Sequence, residues 1–130
     1  MHTGSCLCGA VKYRIDTPIH DVSHCHCSMC RKAHGAAFAS FASVPRPAFH
    51  LIEGEDRIGR YASSESVTRT FCTQCGASLQ FVDDRNDEVG VAVGTLDTPL
   101  GQVAQEHIFV TSKADWYSIH DSYPQYSGDH

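Results

Sequence analysis

The sequence predicts a mainly β fold of short strands, stapled by metal-binding knuckles. Three observations predict it. Short segments alternate apolar and polar residues, the two-residue period of a half-buried strand. Turn residues punctuate those segments closely, and no amphipathic helix longer than about three turns stands out. The seven cysteines fall into tight groups, as metal knuckles do.

Each element follows from its residues. In GAVKYRID, Val11, Tyr13 and Ile15 alternate with Lys12 and Arg14, which makes a half-buried strand. In HCHCSMCRKAHG, Ser28 can cap a short helical turn running to about His34, and Gly35 would end it. AAFASFASV reads as a strand, broken by Pro45 and Pro47. AFHLI, EGED and RIGRY read as strand, turn, strand. SVTRTF alternates again, with Val67, Arg69 and Phe71 on one side. FCTQCG is a tight knuckle, and ASLQFV, DDRND and EVGVAVG make a hairpin. TLDTPLG is a loop, HIFVTS a last strand, and KADWYSI follows it. The tail from about residue 122, SYPQYSGDH, has little to bury and is expected to be loose.

A chain of 130 residues, 42% hydrophobic and 19% charged, fits one ordinary globular domain spanning 1–130. No apolar run is long enough to cross a bilayer, so no membrane partner is expected. The N-terminus lacks a basic segment followed by an apolar one, so the expected location is the cytoplasm. The cysteine count is odd and the cysteines are paired closely, which in a reducing compartment points to metal rather than disulfides. The formal charge is −5, and seven thiolates around two zinc ions would deepen it. With no Lys/Arg run either, nucleic acid is not an expected partner.

The cysteines form three groups: Cys6 and Cys8 as C-x-C, Cys25, Cys27 and Cys30 as C-x-C-x-x-C, and Cys72 and Cys75 as C-x-x-C followed by Gly76. Cys6/Cys8 and Cys72/Cys75 are the natural pairs for one closed four-thiolate site, leaving three thiolates for a site with an open position. The spacing also permits Cys25/Cys27 to complete a site with either pair. It equally permits a second structural site, with His24, His26 or His34 as the fourth ligand of the trio.

Five blocks in order, GSCLCGAVKY, HCHCSMCRKAHGAAF, FCTQCGASL, GTLD and HIFVTSKADWYSI, resemble the glutathione-dependent formaldehyde-activating enzyme family, which includes centromere protein V. The resemblance implies a β-tent fold, in which small antiparallel sheets meet around a structural zinc. It assigns that zinc to Cys6, Cys8, Cys72 and Cys75 and a second, catalytic zinc to Cys25, Cys27 and Cys30, making two zinc ions per chain. It implies glutathione and formaldehyde as partners.

Three thiolates donate electron density to zinc, so water bound there is acidified less than on three neutral histidines. A coordinating thiol is still deprotonated. That favours thiol activation over hydrolysis. The expected activity is that of a carbon–sulfur lyase, forming or cleaving a thiol–aldehyde adduct such as S-hydroxymethylglutathione. His26, His34 and Asp97 are candidate acids by residue type. Arg31 and Lys32 are candidates to pair with glutathione carboxylates, against a solvated helix end. Trp116 is a site wall or core, while Phe38, Phe41, Phe71, Phe81 and Phe109 are expected in the core. His2, His50, His107, His120 and His130 carry no ligand spacing and receive no role. The rival readings are a non-catalytic zinc-stabilised binding module and a related enzyme acting on another thiol or electrophile. A zinc-bearing methionine sulfoxide reductase would need a cysteine outside both sites.

Overall fold

The alternating segments sort into two sheets that share one core. The computed structural model describes residues 1–129. Along the chain run β1 (His2–Ser5), β2 (Lys12–Ile15), β3 (Asp21–Cys25), α1 (Ser28–His34), β4 (Ala39–Pro45) and β5 (Phe49–Glu53). Then come β6 (Ile58–Ala62), β7 (Val67–Cys72), β8 (Ser78–Asp83), β9 (Glu88–Ala92) and β10 (Ala104–Ile108). The small sheet has the order β1-β2-β5, and the seven-stranded sheet the order β10-β3-β4-β9-β8-β7-β6. The fold is mainly β, as the alternation requires. Pairing is antiparallel throughout except at one edge, where β10 joins β3 in parallel.

The side-chain period of two divides the large sheet into two unlike faces. Ala42 and Val44 of β4 and Val89 and Val91 of β9 face the small sheet, where they pack with Tyr13 and Ile15. Tyr13 lies so close to β1 that a Cβ at Gly4 would stand 2.2 Å from its ring, so only glycine fits there. The opposite face carries Cys25, Phe41, Ser43 and Phe81 and borders an open cleft. The five phenylalanines expected in the core are therefore only half-buried, and three of them, Phe41, Phe81 and Phe109, line that cleft instead.

Several expectations need adjusting. The cap of α1 is Cys27, not Ser28: its sulfur accepts the Cys30 amide at 3.4 Å. Gly35 ends the helix as expected, at φ 58° in the left-handed region. AFHLI and RIGRY do not pair with each other; β5 joins β2 while β6 joins β7. The last strand starts earlier than HIFVTS and stops at Ile108, because Phe109 turns to φ 55°, the only positive φ outside glycine among the described residues. Trp116 is 69% exposed, so it belongs neither to the core nor to a site wall.

The tail expected to be loose is tied down. Its backbone folds back along β10: His107 N–H donates to Pro124 O at 2.8 Å, Tyr126 N–H to His107 O at 2.9 Å, and Phe109 N–H to Gly128 O at 3.1 Å. These are backbone bonds, and a tail poor in apolar residues can make them as well as any other segment. His130 lies outside the described residues.

Candidate functional site

The first cluster is built by two turns. The turn after β1 carries Cys6 and Cys8, and the turn after β7 carries Cys72 and Cys75. All four sulfurs lie within 4.8 Å of one another. Cys6 and Cys8 are 3.6 Å apart, and Cys8 and Cys72 3.8 Å. Four sulfurs about 2.3 Å from one tetrahedral ion would stand about 3.8 Å apart, so these residues fit zinc. The Val11 amide donates to Cys6 Sγ at 3.2 Å and the Gln74 side-chain amide to Cys8 Sγ at 3.4 Å. Amides, first that of Ala77, draw Cys75 down to about 6, favouring a thiolate ligand. Cys6 and Cys72 are buried among Val11, Leu79, Leu51 and Ile58.

The second cluster comes from one stretch of chain. β3 delivers Cys25, the bend after it Cys27, and the first turn of α1 Cys30. Their sulfurs also lie within 4.8 Å, and the cluster consists of these three alone among the described residues. Hydrogen bonds from the Cys25 and Cys30 thiols hold Cys27 well below the usual thiol range, and the same contacts push Cys25 up. The trio can hold a metal ion through three thiolates, a donor set that suits zinc.

Arg69 of β7 is the residue that sequence reasoning missed. Its terminal nitrogens donate to Cys30 Sγ at 3.6 and 3.7 Å, and its Nε to Ser63 Oγ at 3.1 Å. The guanidinium lies 5.1 Å from the Phe81 ring centre. A cation at that position offsets the negative charge of three thiolates. The signal available was a lone arginine on the Val67 side of an alternating strand.

The nearby histidines point elsewhere. His24 bonds Ser40 through Nδ1 at 2.7 Å and Gln105 through Nε2 at 2.8 Å. His34 packs edge-on against Phe41, with ring centres 5.3 Å apart. His26 is fully buried, and its Nε2 meets His107 Nδ1 at 2.8 Å; His107 Nε2 meets Asp121 at 3.0 Å. A carboxylate only accepts, so His107 carries a proton on Nε2, and in the neutral ring its Nδ1 accepts from His26. That leaves His26 Nδ1 unprotonated, buried and without a partner among the described residues. Burial, then the neighbouring His107 and His24, lower His26 to about 4, so it is neutral near pH 7. His107, which the spacing gave no role, is thus the middle of a chain running from the exposed Asp121 of the tail through two buried histidines to the cysteine loop.

All three cysteines of the trio line one cleft of about 880 Å³, within the size range of small-molecule sites. Phe41, Phe81, Ile108 and Phe109 surround the cysteine end. None of His26, His34 and Asp97 lines it, and Asp97 is held far off by Ser5 at 2.7 Å. Arg31 and Lys32 do not line it either; Arg31 Nε donates to His26 O at 3.3 Å.

A mainly β fold with one four-cysteine cluster and a second, three-cysteine cluster at the end of a cleft defines a class of thiolate-site proteins. Within that class, the chain belongs to the glutathione-dependent formaldehyde-activating enzyme family, whose model matches residues 1–112. A Halomonas elongata protein whose name assigns it to the same family is 31% identical over 125 residues, which is 89% of this chain and 79% of that protein. An uncharacterized lyase of Schizosaccharomyces pombe is 32% identical over 80 residues, 62% of this chain, and the match spans 56% of that protein's length. A crystal structure of a Rhodobacter sphaeroides protein superposes with a TM-score of 0.66 at 27% identity, covering 79% of this chain and 98% of that one. The described residues include no helix long and apolar enough to cross a membrane.

Proposed function

We propose that this protein is a zinc-dependent carbon–sulfur lyase that forms and cleaves thiol–aldehyde adducts, with two zinc ions per chain and S-hydroxymethylglutathione as the adduct its family name suggests. The observation that carries this reading is the three-cysteine cluster alone at the end of an 880 Å³ cleft, with no fourth side-chain ligand among the described residues. Cys6, Cys8, Cys72 and Cys75 hold the structural ion, and Cys25, Cys27 and Cys30 hold the second. An ion at the trio would supply a Lewis-acidic position that keeps a substrate thiol deprotonated near neutral pH.

The chain's own residues supply the rest. Cys25, Cys27 and Cys30 fix the reacting end of the cleft, and Arg69 balances their charge. Phe41, Phe81 and Phe109 give that end an apolar wall that excludes water and shelters the carbonyl. In the forward direction the thiol sulfur bonds to the aldehyde carbon, the carbonyl π pair moves to oxygen, and the proton lost by the thiol ends there. The reverse breaks the same carbon–sulfur bond. Nothing is oxidised or reduced, so thiol, aldehyde and adduct balance without a further reactant. A reducing compartment, which keeps seven cysteines as thiols, suits the chemistry.

Exchange spectroscopy by NMR on glutathione, formaldehyde and their adduct tests the proposal. The zinc-loaded protein is expected to speed exchange beyond the spontaneous rate, and Cys27→Ser to abolish the gain while the fold persists. Full acceleration by the serine variant would refute the role of the trio. Absence of acceleration by the zinc-loaded wild type would favour a binding module.

A further inference from the structure

Two consecutive residues, Ile108 and Phe109, both line the cleft. A regular strand does not do that, because successive side chains alternate between its faces. Along β10, Glu106 and Ile108 stand on the cleft side, and His107 between them is buried on the other. Continued alternation would send Phe109 the way of His107. Instead the backbone of Phe109 turns to φ 55° and ψ 40°, in the left-handed region, and its side chain lines the cleft. There it packs against Cys25, Cys30 and Ala39, at the apolar end where Phe41 also stands.

A left-handed phenylalanine is unfavourable, because its Cβ crowds the following carbonyl oxygen. Glycine or asparagine makes such a turn at lower cost, and every other residue with positive φ among those described is glycine. The turn alone therefore does not call for phenylalanine; what phenylalanine adds is its ring. A strained residue persists only where its surroundings over-determine it, and such residues cluster at functional sites. Here the tail fixes the turn. Phe109 N–H donates to Gly128 O and Val110 N–H to Tyr126 O, each at 3.1 Å, and Thr111 Oγ1 donates to Ser127 O at 3.2 Å. These acceptors lie beyond residues 1–112, the span that the family model matches. Asp129, next along the tail, itself lines the cleft.

A cleft of about 880 Å³ is too large to select a small aldehyde by its volume. Selection has to come where carbon meets sulfur. Reacting atoms approach to about 3–3.5 Å before they bond, so whatever the carbonyl carbon carries must fit beside the trio. Formaldehyde carries only hydrogen there, and a longer aldehyde brings an alkyl chain. We infer that Phe109 is the specificity-determining residue for the aldehyde, its ring closing the space beside Cys25 and Cys30 to all but the smallest carbonyl compounds. The inference rests on the thiol–aldehyde reading above, keeps glutathione as the thiol, and names the residue that sets the size of its partner.

The test follows adduct exchange by NMR with zinc-loaded protein, glutathione, and formaldehyde, acetaldehyde or propionaldehyde, each rate taken relative to the spontaneous exchange of the same pair. Acceleration should fall by about tenfold or more from formaldehyde to propionaldehyde. Phe109→Gly and Phe109→Asn keep a residue that tolerates the left-handed turn and remove the ring, and both should narrow that gap by about tenfold. Phe109→Tyr, which keeps the ring, should keep the gap. An equal loss for all three aldehydes in the glycine and asparagine variants would show that the ring only packs, and would overturn the inference. A second measurement needs the wild type alone, so it decides even if those variants fail to fold. S-methylglutathione and S-propylglutathione, stable mimics of the adduct, are titrated into the zinc-loaded protein. The methyl compound should bind about tenfold tighter, with nuclear Overhauser contacts from its S-methyl protons to the Phe109 ring. If no aldehyde is accelerated but these contacts and this order hold, the lyase reading fails and the role of Phe109 stands. Equal or tighter binding of the propyl compound, or an S-methyl group without contact to the ring, refutes it.

Discussion

The cluster of Cys6, Cys8, Cys72 and Cys75 and the cluster of Cys25, Cys27 and Cys30 use one kind of donor in two opposite settings. The first joins turns more than sixty residues apart, with Cys6 and Cys72 buried beside Val11 and Leu79 while Cys8 is exposed. The second takes its sulfurs from six consecutive positions and lies on the sheet face that borders the cleft. Joining distant segments is how a metal contributes to folding, because the ion closes a long loop that the apolar core alone must otherwise close. Drawing all ligands from one loop contributes little to long-range closure and leaves one side of the cluster facing the cleft. The difference teaches that closure of the chain and openness to ligand are separable properties of cysteine clusters.

Four substitutions can break or sharpen that contrast. The largest effect is expected from Cys72→Ser, which removes a fully buried sulfur from the four-cysteine cluster. Structural zinc in small domains contributes about 10–16 kcal/mol of apparent folding free energy, so the variant should lose cooperative thermal unfolding and metal together. Circular dichroism melting and metal analysis check this. An unchanged melting curve would break the comparison at its strongest point.

Arg69→Gln should be next in size. It removes the guanidinium from Cys30 and should weaken metal binding at the trio by about 10–100-fold, while leaving the four-cysteine cluster unaffected. Competition with a chelator, followed with cobalt as a spectroscopic stand-in, separates the two sites. Equal weakening at both would show that Arg69 acts through the fold.

A smaller loss is expected from Asp121→Asn. Hydrogen bonds to charged groups are worth about 1.5–3 kcal/mol, and this one orders the chain through His107 to His26. Nitrogen-15 spectra of the His107 ring should show the proton on Nε2 in the parent protein and a mixed tautomer in the variant. The Phe109 amide should then exchange about tenfold faster. An Nδ1–H tautomer in the parent protein would contradict the direction of the chain. Trp116→Ala should change stability by no more than about 0.5 kcal/mol, because its ring is 69% exposed. A destabilisation of several kcal/mol by denaturant titration would show that the exposed ring packs after all.

The sequence was most readable where the chemistry is local. The short spacings grouped the cysteines, and Gly35 marked the end of α1, because both signals act within a few residues. The hairpin of β8 and β9 followed from alternation around a polar turn. Alternation also showed that the strands have two unlike faces, but Phe41 and Phe81 look the same whether a face is covered by a sheet or borders a cleft. The parallel edge of β3 and β10 and the tail along β10 were not legible, since backbone hydrogen bonds leave no mark on side-chain pattern. Phe109 gave no warning of its left-handed turn because phenylalanine rarely adopts one. His107 was passed over because a lone histidine in a strand becomes informative only when its distant partners are known.

The parallel edge has a consequence for the order in which the protein can be made. Proteins emerge from the ribosome N-terminus first, so β3 and the cysteine loop exist long before their neighbour β10. Until Ile108 is synthesised, the His26 amide lacks its acceptor, and β3 has one open edge. The four-cysteine cluster has all its sulfurs once Cys75 is out, well before Ile108 supplies the acceptor beside the trio. A nascent chain can therefore bring its four-cysteine cluster together before β10 completes the edge of the sheet that borders the cleft.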